Sequence, residues 1–178
     1  NTCMNGIEAA LYHRKIEETD IQQDPVFILG HWRTGTTWLH ELLVLDPRHT
    51  SPTTYECFGS SHFLLSERFI KWWLDYLMPR RRPMDNVAVG LDRPQEDEFA
   101  LLTMGLPTTY RRIAFPNLPV RHLDYLNLGG VSAQDLQRWK SGLREFIEYL
   151  NYRHRKPLVL KSPPHTGRIK VLLEMFPR

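Results

Sequence analysis

An α/β fold with a parallel sheet flanked by helices is predicted by three features of the chain. Two short, wholly apolar runs, Val26-Phe27-Ile28-Leu29 and Leu158-Val159-Leu160, each follow a proline and carry no polar alternation. That is how strands buried on both faces read. Between them lie helix-periodic stretches, so the two strands pair in parallel through a long crossover, for which the right-handed form is expected. At 178 residues the chain has the length of one ordinary domain.

The elements follow in order. Residues 5–19 place Ile7, Ala10, Leu11 and Ile16 among charges, a weakly amphipathic helix broken at Gln22-Gln23-Asp24-Pro25. Strand 26–30 runs into a polar loop, and Trp38, Leu39, Leu42, Leu43 and Leu45 then mark a helix stopped by Asp46-Pro47. Residues 52–58, with Tyr55-Glu56-Cys57-Phe58, read as extended. Ser60 to Met78 has helical spacing, and Trp72, Trp73 and Trp139 fall on stripes expected to face the core. Arg80-Arg81-Arg82-Pro83 is a basic loop, and Pro94-Gln95-Glu96-Asp97-Glu98 is a helix start with acids at the positive dipole end. Six Pro and Gly residues make 105–131 mostly loop. Ser132 and Asp135 open a helix whose stripe is Leu136, Trp139, Leu143, Phe146, Ile147 and Leu150. Strand 157–161 and a helix from Thr166 to Phe176 complete the reading.

This divides the chain into an N-terminal helical segment, 1–24, and an α/β domain, 25–178. The start at Asn1 and a stop just after a helical pattern create the expectation of a sheet truncated before its last strands.

Composition narrows the function classes. Hydrophobic residues at 42% and charged residues at 24% exclude a disordered chain. No apolar run is long enough to span a bilayer, and no secretory leader opens the sequence. Cys3 and Cys57 are too few for a disulfide framework and read as free thiols of a cytoplasmic protein. A net charge of +3 suits an anionic ligand and is too small to predict nucleic-acid binding. The histidines lack metal-ligand spacing, so no metal is expected. Oligomeric state leaves no trace in the pattern.

The strongest motif follows the first strand: Gly30-His31-Trp32-Arg33-Thr34-Gly35-Thr36-Thr37, then a helix. Its spacing is that of the nucleotide-binding P-loop, with Thr36 in place of the lysine and a cation earlier, at Arg33. A glycine-containing turn still delivers N–H groups and a positive helix end to an anion. A nucleoside triphosphate needs the missing lysine and Mg²⁺, so kinase-like phosphotransfer is disfavoured against a ligand with one 5′-phosphate. A non-catalytic nucleotide- or anion-binding module is the other alternative.

The run Phe27-Ile28-Leu29-Gly30-His31-Trp32-Arg33-Thr34-Gly35-Thr36-Thr37-Trp38-Leu39 resembles the 5′-phosphosulfate loop of sulfotransferases. The likeness is to the bacterial branch related to tyrosylprotein sulfotransferases, whose loop reads R-S-G-T-T. Arg82-Pro83-Met84-Asp85-Asn86, Pro94-Gln95-Glu96-Asp97-Glu98 and Leu160-Lys161-Ser162-Pro163-Pro164-His165 extend the resemblance over residues 25–178. It implies sulfuryl transfer from 3′-phosphoadenosine-5′-phosphosulfate to a hydroxyl or amine of a small-molecule, carbohydrate or peptide acceptor, without metal. The segments that hold the donor's 3′-phosphate in the family do not occur before Arg178.

Site residues follow from motif and resemblance together. Arg33, Thr34, Gly35, Thr36, Thr37 and Trp38 are expected to bind the donor, Arg33 also stabilising charge on the sulfuryl oxygens. Lys161, at the C-terminal end of the second strand, stands where open α/β sheets place ligands and matches the family lysine that contacts the transferring group. Glu56 is the expected base, by likeness to the tyrosylprotein enzymes. His165 competes, because cytosolic sulfotransferases use a histidine close behind the equivalent lysine. Glu96, Asp97 and Glu98 serve the helix dipole or, through the resemblance, lie near the acceptor pocket.

Overall fold

The computed structural model describes residues 2–19, 24–77 and 90–177. The elements are α1 (Thr2–Glu17), β1 (Val26–Ile28), α2 (Thr36–Leu43), α3 (Thr54–Phe58), α4 (Phe63–Leu77), α5 (Glu98–Thr103), α6 (Arg111–Ala114), α7 (Ala133–His154), β2 (Val159–Lys161) and α8 (Ile169–Met175). Short 3-10 segments occupy Leu123–Leu126 and Pro163–Gly167.

β1 and β2 pair in parallel, with Val26 opposite Val159 and Ile28 opposite Lys161. The expected α/β fold with a parallel sheet flanked by helices is what forms. The other side of β2 is met by Thr50, whose carbonyl accepts from Val159 N at 2.7 Å. α7 supplies the largest share of the core: Trp139, Leu143, Phe146, Ile147 and Leu150 are buried in one cluster with Phe63, Leu101 and Leu160. Its N-cap Ser132 accepts from Asp135 N, as its sequence predicts.

Four expectations are corrected. Residues 54–58 are helical rather than extended. Thr53 and Glu56 form a reciprocal capping box, Thr53 N donating to Glu56 Oε2 at 2.8 Å and Glu56 N to Thr53 Oγ1 at 3.2 Å. α5 begins at Glu98, later than Pro94, because backbone pairing of Thr54 N with Arg93 O and Gln95 N with Pro52 O holds 93–95 extended. The last helix begins at Ile169 rather than Thr166, because Thr166 and Gly167 belong to the 3-10 segment Pro163–Gly167. Trp139 is fully buried, but Trp72 and Trp73 are 71% and 65% exposed. The charges of α4 fill one stripe and leave a wide apolar arc, of which Phe63, with Ser66 beside it, is the buried part. The Arg80-Arg81-Arg82-Pro83 loop lies outside the described residues.

Candidate functional site

Three segments converge at the carboxyl edge of the strands: the loop after β1, the end of β2, and the 93–98 segment. The loop closes tightly. A Cβ at Gly30 would lie 2.5 Å from Thr36 Cγ2, and Gly30 N donates to Thr166 Oγ1 at 2.8 Å. Arg33 (φ 68°) and Gly35 (φ 85°) are left-handed, the alternation that gathers successive N–H groups around an anion. Thr34 Oγ1 donates to His31 O at 2.6 Å, and Leu39 N to Gly35 O starts α2. Arg33, Thr34, Gly35 and Trp38 are exposed, while Thr36 and Thr37 are half-buried. No ion pair engages Arg33 among the described residues.

Lys161 is buried at the strand end, 4% exposed. Its Nζ donates to Thr37 Oγ1 at 3.4 Å and to the Glu96 carboxylate. Glu96 also accepts from the Tyr110 hydroxyl. Burial, then the adjoining Glu96 charge, push the Tyr110 phenol far above its ordinary range, which keeps it a donor. Beneath the lysine, His40 bonds Val159 O at 3.3 Å. Burial, helped by the Lys161 charge, lowers His40 to about 4, so it is neutral at neutral pH and adds no competing charge.

The two bases expected from the sequence are buried and bonded to other side chains, His165 Nδ1 alone having no partner among the described residues. Glu56 is 1% exposed, with Oε2 on Thr53 N and Oε1 2.7 Å from His154 Nε2. Burial pushes its carboxyl up, but His154 and Thr53 outweigh that and hold it below the usual range. His165 is fully buried, Nε2 lying 2.7 Å from Asp97 Oδ2. Asp97 Oδ1 accepts from Ser162 Oγ, which itself accepts from Glu98 N. Burial raises the Asp97 carboxyl, and His165 and Ser162 more than reverse this. Glu98 binds Arg168 through two bonds, at 2.5 and 3.0 Å, and Arg168 stacks over Trp139.

The structure therefore joins the loop to Lys161 and adds Glu96 and Tyr110. The three consecutive acids behind Pro94 were the sequence signal for Glu96. Nothing marked Tyr110, whose role depends on a hydrogen bond across 14 residues.

The model of the Sulfotransferase family matches residues 25–178. This chain belongs to the sulfotransferase family. It is 48% identical over all 178 residues to the omega-hydroxy-beta-dihydromenaquinone-9 sulfotransferases Stf3 of Mycobacterium bovis and Mycobacterium tuberculosis. It spans 46% of each of those proteins. Crystal structures of the sulfotransferases STF9 from Mycobacterium avium and STF1 from Mycobacterium tuberculosis share the fold, with TM-scores of 0.57 and 0.54. They match at 19% and 18% identity over 98% of this chain, and 45% and 48% of theirs.

Proposed function

We propose that the full-length protein transfers a sulfuryl group from 3′-phosphoadenosine-5′-phosphosulfate to the hydroxyl of a small lipophilic acceptor in the cytoplasm. The observation that carries this reading is Lys161, a buried cation at the strand edge, beside Thr37 of a phosphate-type loop. The unpaired thiols of Cys3 and Cys57 support the location. The acceptor class rests on the relatives, which are named for an omega-hydroxylated menaquinone.

The loop fits the donor's 5′ end: Gly30 leaves a cradle that a Cβ would fill, and Arg33 has no competing partner among the described residues. Thr34 to Thr37 and the α2 start would hold the 5′-phosphate, with Trp38 bordering it. When bound, the donor supplies a sulfuryl group for in-line displacement, with charge spread over the sulfuryl and bridging oxygens. Arg33 and Lys161 stabilise that charge. Glu96 takes the acceptor's proton: its side chain is 19% exposed and lies against Lys161, whereas Glu56 is 2% and His165 0% exposed. Glu56 and His165 rank second and third as bases.

The test uses full-length protein, radiolabelled donor and a polyprenyl quinol bearing a terminal hydroxyl. Label should pass to the acceptor in EDTA, and calorimetry should show 3′-phosphoadenosine 5′-phosphate binding without metal. Preference for ATP–Mg²⁺ over the adenosine bisphosphate would overturn the reading.

A further inference from the structure

We propose that residues 111–123 are a docking surface for an anionic lipid bilayer, which presents the lipophilic acceptor to Lys161 and Glu96. The chain leaves the core at buried Tyr110 and returns to it at buried Tyr125. Every residue from 111 to 121 is exposed. This excursion holds its own shape: Ile113 N donates to Tyr110 O at 2.9 Å, Phe115 N to Arg111 O at 2.9 Å and Leu118 N to Phe115 O at 3.2 Å.

Its chemistry is that of an interfacial element. Ile113, Phe115, Leu118 and Leu123 are 52–61% exposed, an apolar surface of the kind that marks an interaction site. Among them stand Arg111, Arg112 and Arg121, none of which forms an ion pair among the described residues. No Asp or Glu occurs between Glu98 and Asp124, so nothing in the segment neutralises them. A cavity of about 160 Å³ opens among the three arginines, Phe115, Leu118 and Pro119. That is the room of about five waters, enough for a lipid phosphodiester. Apolar side chains that enter the headgroup region and unpaired cations that meet its charge together suit an anionic bilayer. A purely apolar partner would leave the arginines uncompensated.

Position ties this surface to the site. Tyr110, the residue directly before α6, donates to Glu96, which pairs with Lys161. A bilayer held at α6 thus lies one hydrogen-bonded step from the proton acceptor. This part rests on the lipophilic-acceptor reading, whereas vesicle binding does not.

The experiment is flotation of the full-length protein with vesicles of phosphatidylglycerol and phosphatidylcholine, or of phosphatidylcholine alone. Binding should require the anionic lipid and weaken with salt. The triple variant Arg111→Ser/Arg112→Ser/Arg121→Ser should bind about 100-fold more weakly, from roughly fivefold per arginine at an anionic surface. Phe115→Ser/Leu118→Ser should also lose binding, and both variants should keep wild-type turnover on a short water-soluble alcohol. Equal flotation with neutral vesicles, or a triple variant that binds like wild type, overturns the proposal. So does a Phe115→Ser/Leu118→Ser variant that lowers Tm or dissociates a dimer while leaving flotation intact, since the surface is then covered by protein. Sulfuryl transfer without flotation refutes docking and spares the activity; flotation without transfer does the reverse.

Discussion

Replacing Lys161 with methionine keeps the aliphatic stem in its buried slot and removes only the charge. Two consequences can be worked separately. Loss of a preorganised donor at the transferring group costs about 2.7–4 kcal/mol of barrier, or ~10²–10³ in turnover. The same change leaves the Glu96 carboxylate, 19% exposed, with Tyr110 as its side-chain partner, a loss of about 1–3 kcal/mol in stability. Adding Glu96→Gln removes the stranded charge. The double variant should therefore regain most of the lost stability while its turnover stays at or below that of Lys161→Met. Denaturant unfolding and single-turnover transfer on the full-length protein read the two quantities independently. Turnover of Lys161→Met within a few-fold of wild type would refute the charge-stabilising role. A double variant less stable than either single one would refute the pairing.

Three further outcomes are expected. Gly30→Ala places a methyl 2.5 Å from Thr36 Cγ2, so Thr36 must move from its place in the loop; adenosine bisphosphate binding should weaken by about 1–3 kcal/mol in calorimetry, and unchanged affinity would mean that the loop does not hold the ligand. Glu56→Gln keeps the capping box, since glutamine serves at that position, and should leave turnover intact while Glu96→Gln lowers it by ~10²–10⁴; the reverse result in the transfer assay moves the base to Glu56. Glu8 is fully buried with its Oε2 on Leu65 N, and burial raises its carboxyl from 4.5 to about 7. The folded state then keeps a proton that the unfolded state has released, so Glu8 costs stability as pH rises from 4.5 to 7, up to about 3 kcal/mol. Glu8→Gln should gain on wild type across that window in Tm-versus-pH curves, and parallel curves would show that Glu8 is not protonated.

The strands, the donor loop and α7 were legible because each rests on local signals: apolar runs, a spaced glycine turn, and a capped helical stripe. Lys161 was legible as a charge placed where a buried strand resists one. α3 was missed although its capping box was present in Thr53 and Glu56, because the β-branched and aromatic residues around them favour extended chain. The side of α4 that Trp72 and Trp73 occupy could not be read, since its apolar arc is wider than the face that meets the core. Glu96 stood among three acids with a sufficient local explanation in the helix dipole. Only the clip between residues 52–54 and 93–95 carries it to Lys161, and that is a non-local fact.

The pairing of β1 with β2 also has a consequence for how the chain is made. Val26 and its partner Val159 stand more than 130 residues apart, with every helix from α2 to α7 between them. At about 5–20 residues per second, β2 leaves the ribosome roughly 7–27 s after β1. Throughout that interval Val26-Phe27-Ile28-Leu29 is an apolar segment without the β2 strand it pairs with. The donor loop cannot acquire its Thr166 anchor until the strands meet. Helices assembled from local contacts therefore precede the pairing of β1 with β2, and the ligand-binding edge takes shape after them.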